Sequence, residues 1–295
     1  MKYPFKQFQA DYPNDDACLD AILLQKYSSN PTCPGCGVVG TKFHRIAGRR
    51  AYACQWCGHH VYPCAGTIFE KSSTPLTLWF HAMYLMTATR TGVSAKELER
   101  QLGVTYKCAW RIGHELRKLM GNQGNDNPPM SGHVEIDETY VGGKEKNKHV
   151  NKRTPGTQGR GSQKTKAIVF GMLQRDGDLH CEVIPAVNRS VVEPIITSRV
   201  VEGTTVSTDE ATSYKNLSLL GYQHDAVNHR DDEFVKGIHH TNSAEGFWKH
   251  LKTSIISTHA SVSSKYLQSY VNEFSYRYNN RKDSKAMFKK LIAAL

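Results

Sequence analysis

The sequence predicts an α/β domain, a mixed sheet with helices on both faces, preceded by a small cysteine-rich ribbon and a helical segment. Three observations predict it. At residue 133 the apolar period changes from about 3.6 to 2: HVEIDETYVG sets Val134 and Ile136 on one face and Glu135 and Asp137 on the other. Two apolar runs, KAIVFGMLQR and DLHCEVIPA, flank Asp176–Gly177, a strong hairpin signal. Beyond them helical stretches and strands alternate, giving the order β-β-β-α-β-α-β-α.

The chain has 295 residues, a length that predicts about two domains. Residues 1–30 read as a helical lead-in, with Cys18, Leu19, Ile22, Leu23 and Leu24 following the acidic start Asp15–Asp16. Residues 31–66 are cysteine-rich with short strands, and 67–120 are helical in period with few breakers. GNQGNDNPPMSG (121–132) is a linker by composition and marks the main boundary. The second domain, 133–295, opens on the first strand and a basic loop over 143–166, followed by the hairpin. A helix at 190–200, a strand at 204–211, a short helix around Ser213–Leu220 and a strand near Tyr222–His229 come next, and long helices close the chain.

Composition narrows the class. A hydrophobic fraction of 39% excludes wholesale disorder. The most apolar stretch, Leu76 to Met86, is interrupted by His81 and falls short of the ~20 residues a membrane span needs, so no membrane partner is expected. The start, MKYPFKQFQADYPNDD, has no apolar signal region, which predicts a cytoplasmic, nucleoid-associated protein. The net charge is +11, and Lys144 to Lys166 alone contributes +7, from eight Lys or Arg against Glu145. So concentrated a charge predicts a polyanionic partner, nucleic acid, with Lys144, Lys146, Lys148, Lys152 and Arg153 as phosphate contacts; the plainer reading is a solvated loop.

Two motifs sharpen this. Cys33, Cys36, Cys54 and Cys57 form C-x2-C-x17-C-x2-C, the spacing of a four-thiolate structural zinc site. One Zn²⁺ is expected there, with Cys64 left as a small buried residue. SAKELERQLGVTYKCAWRIGHELRKLM (94–120) has the pattern of a helix-turn-helix: Leu98 and Leu102 face inward, Gly103 makes the turn, and Ser94 with Glu97 forms a capping box. Its second helix would direct Thr105, Tyr106, Lys107 and Arg111 towards a major groove; an ordinary helical hairpin is the bland alternative.

Three acids stand out in the second domain. Asp137 and Asp209 end predicted strands, and Glu245 sits in the first turn of a predicted helix, spaced D-x71-D-x35-E. Such a trio can hold two Mg²⁺ (or Mn²⁺) ions, which prefer oxygen ligands and activate water or a 3′-hydroxyl for attack on phosphate. Lys252 is turned only about 20° from Glu245 on an ideal helix and could reach DNA on the same face, with Lys249 nearby. Glu138 and Glu210 are rivals, set aside because they point to the opposite strand face. Asn242, also a DNA-contact candidate, is a rival third member expected instead to cap the Glu245 helix.

The motifs CPGCG, CQWCG, VEIDETYVGGK, STDE, HHTNSAEGFWKHLK and YVNEFSYRYNNRK together resemble the zinc-ribbon DDE transposases of bacterial insertion sequences, the family often numbered fifteen-ninety-five. The resemblance spans roughly residues 5–290. The NxxExxW arrangement is also similar to the third-carboxylate helix of Tc1/mariner-type transposases, which favours Glu245 over Asn242. It implies an RNase H-like catalytic core, binding to double-stranded DNA at terminal inverted repeats, metal-dependent cleavage and strand transfer, and a homo-oligomer that synapses two ends. The competing readings are a DNA-binding regulator with an inactive nuclease-like domain and a structure-selective RNase H-like nuclease.

Overall fold

The computed structural model describes residues 3–122, 128–143, 149–152, 166–209, 212–227 and 235–295. The chain divides into two compact units, residues 1–120 with 280–295, and residues 121–279.

The first unit begins with helices α1 (Phe5–Asp11) and α2 (Asp15–Tyr27). The Asn14 side chain caps α2 by accepting from Ala17 N. The ribbon follows as three short antiparallel strands, β1 (Phe43–Arg45), β2 (Tyr52–Cys54) and β3 (His60–Val61). Helices α3 (Leu76–Ala88), α4 (Ala95–Leu102) and α5 (Tyr106–Asn122) complete the N-terminal part. Helix α9 (Ser284–Ala293), capped by Asp283, packs here against α2 and α3. Its Phe288 lies among the rings of Tyr3, Phe8, Tyr12 and Phe80. This reassigns the C-terminal helix, which the sequence reading counted with residues 133–279. The apolar face of a short terminal helix says that it must dock, not where.

The second unit is built on a five-stranded sheet, in the order β6-β5-β4-β7-β8. Its strands are β4 (His133–Val141), β5 (Ala167–Gln174), β6 (Leu179–Ile184), β7 (Thr205–Asp209) and β8 (Gln223–Val227). The first three form an antiparallel meander, and β7 and β8 join β4 in parallel. This is a mixed sheet, as the sequence predicts. Helix α6 (Arg189–Arg199) covers one face, where Val192 and Ile196 meet Val134, Ile136, Phe170 and Met172. Helices α7 (Asn242–Ser254) and α8 (Leu267–Asn279) cover the other, where Phe247, Leu251 and Phe274 meet Val169 and Leu173. Strand β5 is apolar on both sides because it is central and covered twice.

Two local expectations need correction. Residues 121–132 are not all linker: Gly121 and Asn122 continue α5, and Met130 is buried in the sheet's core, bonded to Arg199 and Val201. The helix expected over Ser213–Leu220 is a pair of 3₁₀ turns, Thr212–Tyr214 and Leu217–Leu220.

Candidate active site and nucleic-acid interface

The ribbon brings its four predicted cysteines together. Their sulfurs all lie within 4.8 Å of one another, with Cys33–Cys57 at 3.7 Å and Cys36–Cys54 at 3.9 Å. Four sulfurs about 2.3 Å from a tetrahedral zinc stand about 3.8 Å apart, so the quartet fits that ion. Gly37 and Gly58, each following the second cysteine of its pair, have φ of +71° and +69°, a backbone conformation open to glycine. The amides of Gly35 and Trp56 turn back onto the sulfurs of Cys33 and Cys54 at 3.4 Å each. Cys64 is buried, as expected.

The helices α4 and α5 form with a turn at Gly103, but only the serine half of the expected capping box is made. Ser94 Oγ accepts from the Glu97 amide at 3.1 Å, and Gly103 ends α4 in the left-handed conformation. The Glu97 carboxylate serves Gln101 and Arg100. Thr105, Tyr106, Lys107 and Arg111 are exposed, while Ala109, Ile112 and Leu116 are buried. Lys96 lies over the Tyr106 ring at 5.3 Å, so the exposed face combines an aromatic ring with cations. Of the basic loop, Lys144, Lys146, Lys148 and Arg153 lie outside the described residues, as does Glu210; Lys152 closes the short 3₁₀ turn Val150–Lys152.

The carboxylate site forms where β4 and β7 run parallel. Glu135 pairs with Ser207, so carrying that register two residues on sets Asp209 level with Asp137. Asp137 accepts from the indole N–H of Trp248 on α7 at 2.9 Å and from the Glu138 amide at 2.8 Å. The ring has room because the residue opposite Asp137 on β5 is Gly171, where a Cβ would come within 2.5 Å of it. Burial, with the charges of Glu138 and Asp209 close by, pushes the Asp137 pKa up to about 8, against the two hydrogen bonds. Glu138 lies on the opposite face as expected; the Tyr214 hydroxyl donates to it at 2.7 Å, and burial with Asp209 nearby raises its pKa.

Helix α7 carries Glu245, Trp248 and Lys252 at successive turns. Glu245, Lys249 and Lys252 are exposed. Partial burial of its ammonium and the neighbouring Lys166 lower the Lys252 pKa, while Asp137 acts the other way. Trp248 and Lys252, about a turn apart on α7, therefore stand on the side of the helix near Asp137. Among the described residues, however, Asp137, Asp209 and Glu245 do not gather within 4.8 Å as the cysteines do. A carboxyl raised to about 8 by burial first, and by the charges of Glu138 and Asp209 second, nevertheless suits a divalent cation, whose charge would offset both. The role expected of Asn242 needs correction. It is the first residue of α7, and the helix is capped instead by Glu135, whose Oε2 accepts from the amides of Ser243 and Ala244 at 2.9 and 3.1 Å.

The second half of the chain decides the family: residues 129–279 match the model of the ISXO2-like transposase domain. The chain belongs to that transposase family. Residues 13–60 match the transposase zinc-ribbon domain. The transposase chain is 30% identical over 267 residues to an uncharacterized protein in transposable element ISH50 of Halobacterium salinarum, covering 87% of this chain and 88% of that one. Among solved structures it overlaps the Mos1 strand transfer complex, at a TM-score of 0.30 and 14% identity over 72% of this chain and 73% of that one. It also overlaps the mariner Mos1 paired end complex with Mg, at a TM-score of 0.27 and 14% identity over 68% and 74%. These overlaps are too slight to assign anything to this transposase.

The sequence pattern does not single out Gly171, Trp248 as the partner of Asp137, Glu135 as a helix cap, or Arg175. A signal existed for the first: a lone glycine in an apolar central strand marks close approach by another group. No helix among the described residues is long and apolar enough to cross a membrane.

Proposed function

We propose that this transposase binds the terminal inverted repeats of an insertion sequence, cleaves the DNA at their ends and joins the freed 3′-hydroxyl to target DNA. The observation that supports the reading is the bond from Trp248 of α7 to Asp137, with the charges of Asp209 and Lys252 close to that carboxyl.

Asp137, Asp209 and Glu245 would hold Mg²⁺ or Mn²⁺, two per site; when bound, these ions supply the charge neutralisation and the activation of water or hydroxyl. Trp248 fixes the orientation of the Asp137 carboxylate and walls off one side of it. Lys252, with Lys166 close to it, brings positive charge towards Asp137, where the scissile phosphate would lie. Tyr106, Lys107 and Arg111 on α5 read the inverted repeat, and Asn242, Lys249 and the basic loop follow the phosphates nearer the site. Four thiolates on one zinc hold the ribbon's two knuckles in place. Two ends must be held together for joining, so the active species is an oligomer of this chain, working on chromosomal DNA in the cytoplasm.

The test is a supercoiled plasmid carrying the element's two ends, incubated with purified full-length protein and Mg²⁺ or Mn²⁺. Nicked and joined products are expected. Nicking without joining would support the nuclease reading, and tight end binding with neither product would support the regulator.

A further inference from the structure

Glu135 is wholly buried, on the same strand and the same face as Asp137, and both of its oxygens are engaged. Oε2 takes the Ser243 and Ala244 amides at the start of α7. Oε1 takes the Ser243 hydroxyl at 3.0 Å and Arg175 Nε at 2.8 Å, and His240 Nδ1 stands 3.2 Å away. A buried carboxylate at the first turn complements the helix dipole and two otherwise unbonded amides at once.

Arg175 extends the attachment to the chain leading into the helix. Its Nη1 donates to the Ile238 carbonyl at 2.8 Å and its Nη2 to the His240 carbonyl at 3.3 Å. Nη1 also lies 3.0 Å from His133 Nδ1, and an arginine can only donate, so Nδ1 is the acceptor and the ring proton sits on Nε2. That Nε2–H meets Ser207 Oγ at 2.7 Å, which leaves the serine proton for His239 Nδ1 at 2.9 Å. The chain of bonds thus runs from β4 through β5 and β7 to the HHTNS segment that launches α7.

The helix is therefore pinned to β4 at two points, Ser243 and Ala244 to Glu135, and Trp248 to Asp137. The spacings match: two strand residues span about 6.7 Å and four helical residues about 6 Å. Glu245 stands between the pins.

We infer that Glu135 is a positioning residue of the transposase, fixing α7 at its first turn and so setting Glu245 over Asp137 and Asp209 in the arrangement that takes a divalent cation. The inference rests on the reading of those three acids given above. Glu135 itself faces the helix amides and Arg175, not the ions. Removing its charge lets the first turn of α7 move, and a displacement on the order of 1 Å is enough to weaken a ligand set about 100-fold in the step it serves.

The test uses zinc-loaded full-length protein without DNA. Mn²⁺ is titrated in and its free concentration read from the electron paramagnetic resonance signal, with Asp137→Asn setting the background. Glu135→Gln should raise the Mn²⁺ dissociation constant about tenfold or more while affinity for inverted-repeat DNA stays within about twofold. Ser243→Ala, which keeps the two backbone bonds, should give a smaller shift of about threefold. A role confined to folding would lower the number of competent molecules without changing the constant of those that remain. Wild-type Mn²⁺ affinity in Glu135→Gln would overturn the inference, and so would an unshifted Ser243→Ala if Glu135→Gln cannot be purified. If the wild-type protein itself binds no more Mn²⁺ than Asp137→Asn, the three-acid reading fails first, and the inference with it.

Discussion

Gly171→Ala perturbs the site at its tightest point without touching an ionisable group. A Cβ at 171 would come within 2.5 Å of Trp248 Cη2 and 2.7 Å of Cζ2, with Cys181 Sγ at 3.2 Å. The ring has little freedom to yield, since its N–H is bonded to Asp137 and its edge packs on Phe247 at 5.3 Å between centroids. Overpacking of this kind costs about 1–3 kcal/mol, and losing a hydrogen bond to a carboxyl that is mostly neutral near pH 7 about 0.5–1.5 kcal/mol. Relief of glycine's backbone entropy returns about 0.5–1 kcal/mol, leaving a net loss of about 2 kcal/mol at the middle of these ranges. In a unit of this size that lowers the melting midpoint by about 4–8 °C, read by calorimetry on the full chain. Trp248→Phe in the same chain frees the space, so the double variant should lose less than the two single losses added together. A Gly171→Ala midpoint within about 2 °C of wild type, with unchanged tryptophan fluorescence, would refute the packing argument.

Further outcomes follow from other parts of the chain. The purified protein should carry about one zinc, and Cys54→Ser should lose it and unfold the ribbon; a metal-free preparation with a folded ribbon would contradict this. Burial, with Arg175 and His239 close by, lowers the His133 pKa to about 4, so the folded state resists its protonation. Stability from that source is complete above about pH 6.5 and is lost as the pH falls towards 4; the wild-type melting midpoint should fall over that range more steeply than that of His133→Gln. Replacing Lys144, Lys146, Lys148, Lys152 and Arg153 with Ser should weaken binding to all DNA sequences and reduce the salt slope by several units, whereas an unchanged slope would return the segment to a solvated loop.

What the sequence revealed depended on whether a signal was local. Cysteine spacing sufficed for the ribbon, because a CxxC turn fixes its two sulfurs within four residues. The change of period at His133 and the Asp-Gly turn sufficed for the meander, and the strand alternation correctly separated Asp137 from Glu138. Contacts between distant segments were not legible. The helix cap shows this best: Asn242 has the right residue type and place, but a buried Glu135 from 107 residues upstream takes the amides instead. A pattern read along one helix cannot anticipate a competitor delivered by a neighbouring strand. Helix α9 shows the same thing, since an amphipathic face read along the chain does not name the distant segment it packs on.

The central claim is that the acids at the ends of β4 and β7 perform the chemistry while the ribbon and α5 hold the DNA. Asp209→Asn separates the two, because it keeps the side chain's shape and removes the charge a divalent cation requires. The measurement is a paired one on the same preparation, affinity for inverted-repeat DNA and rate of end cleavage in Mg²⁺. The account predicts unchanged affinity with cleavage lost by several orders of magnitude, on the order of 10³-fold or more. Cleavage by Asp209→Asn at the wild-type rate would contradict it.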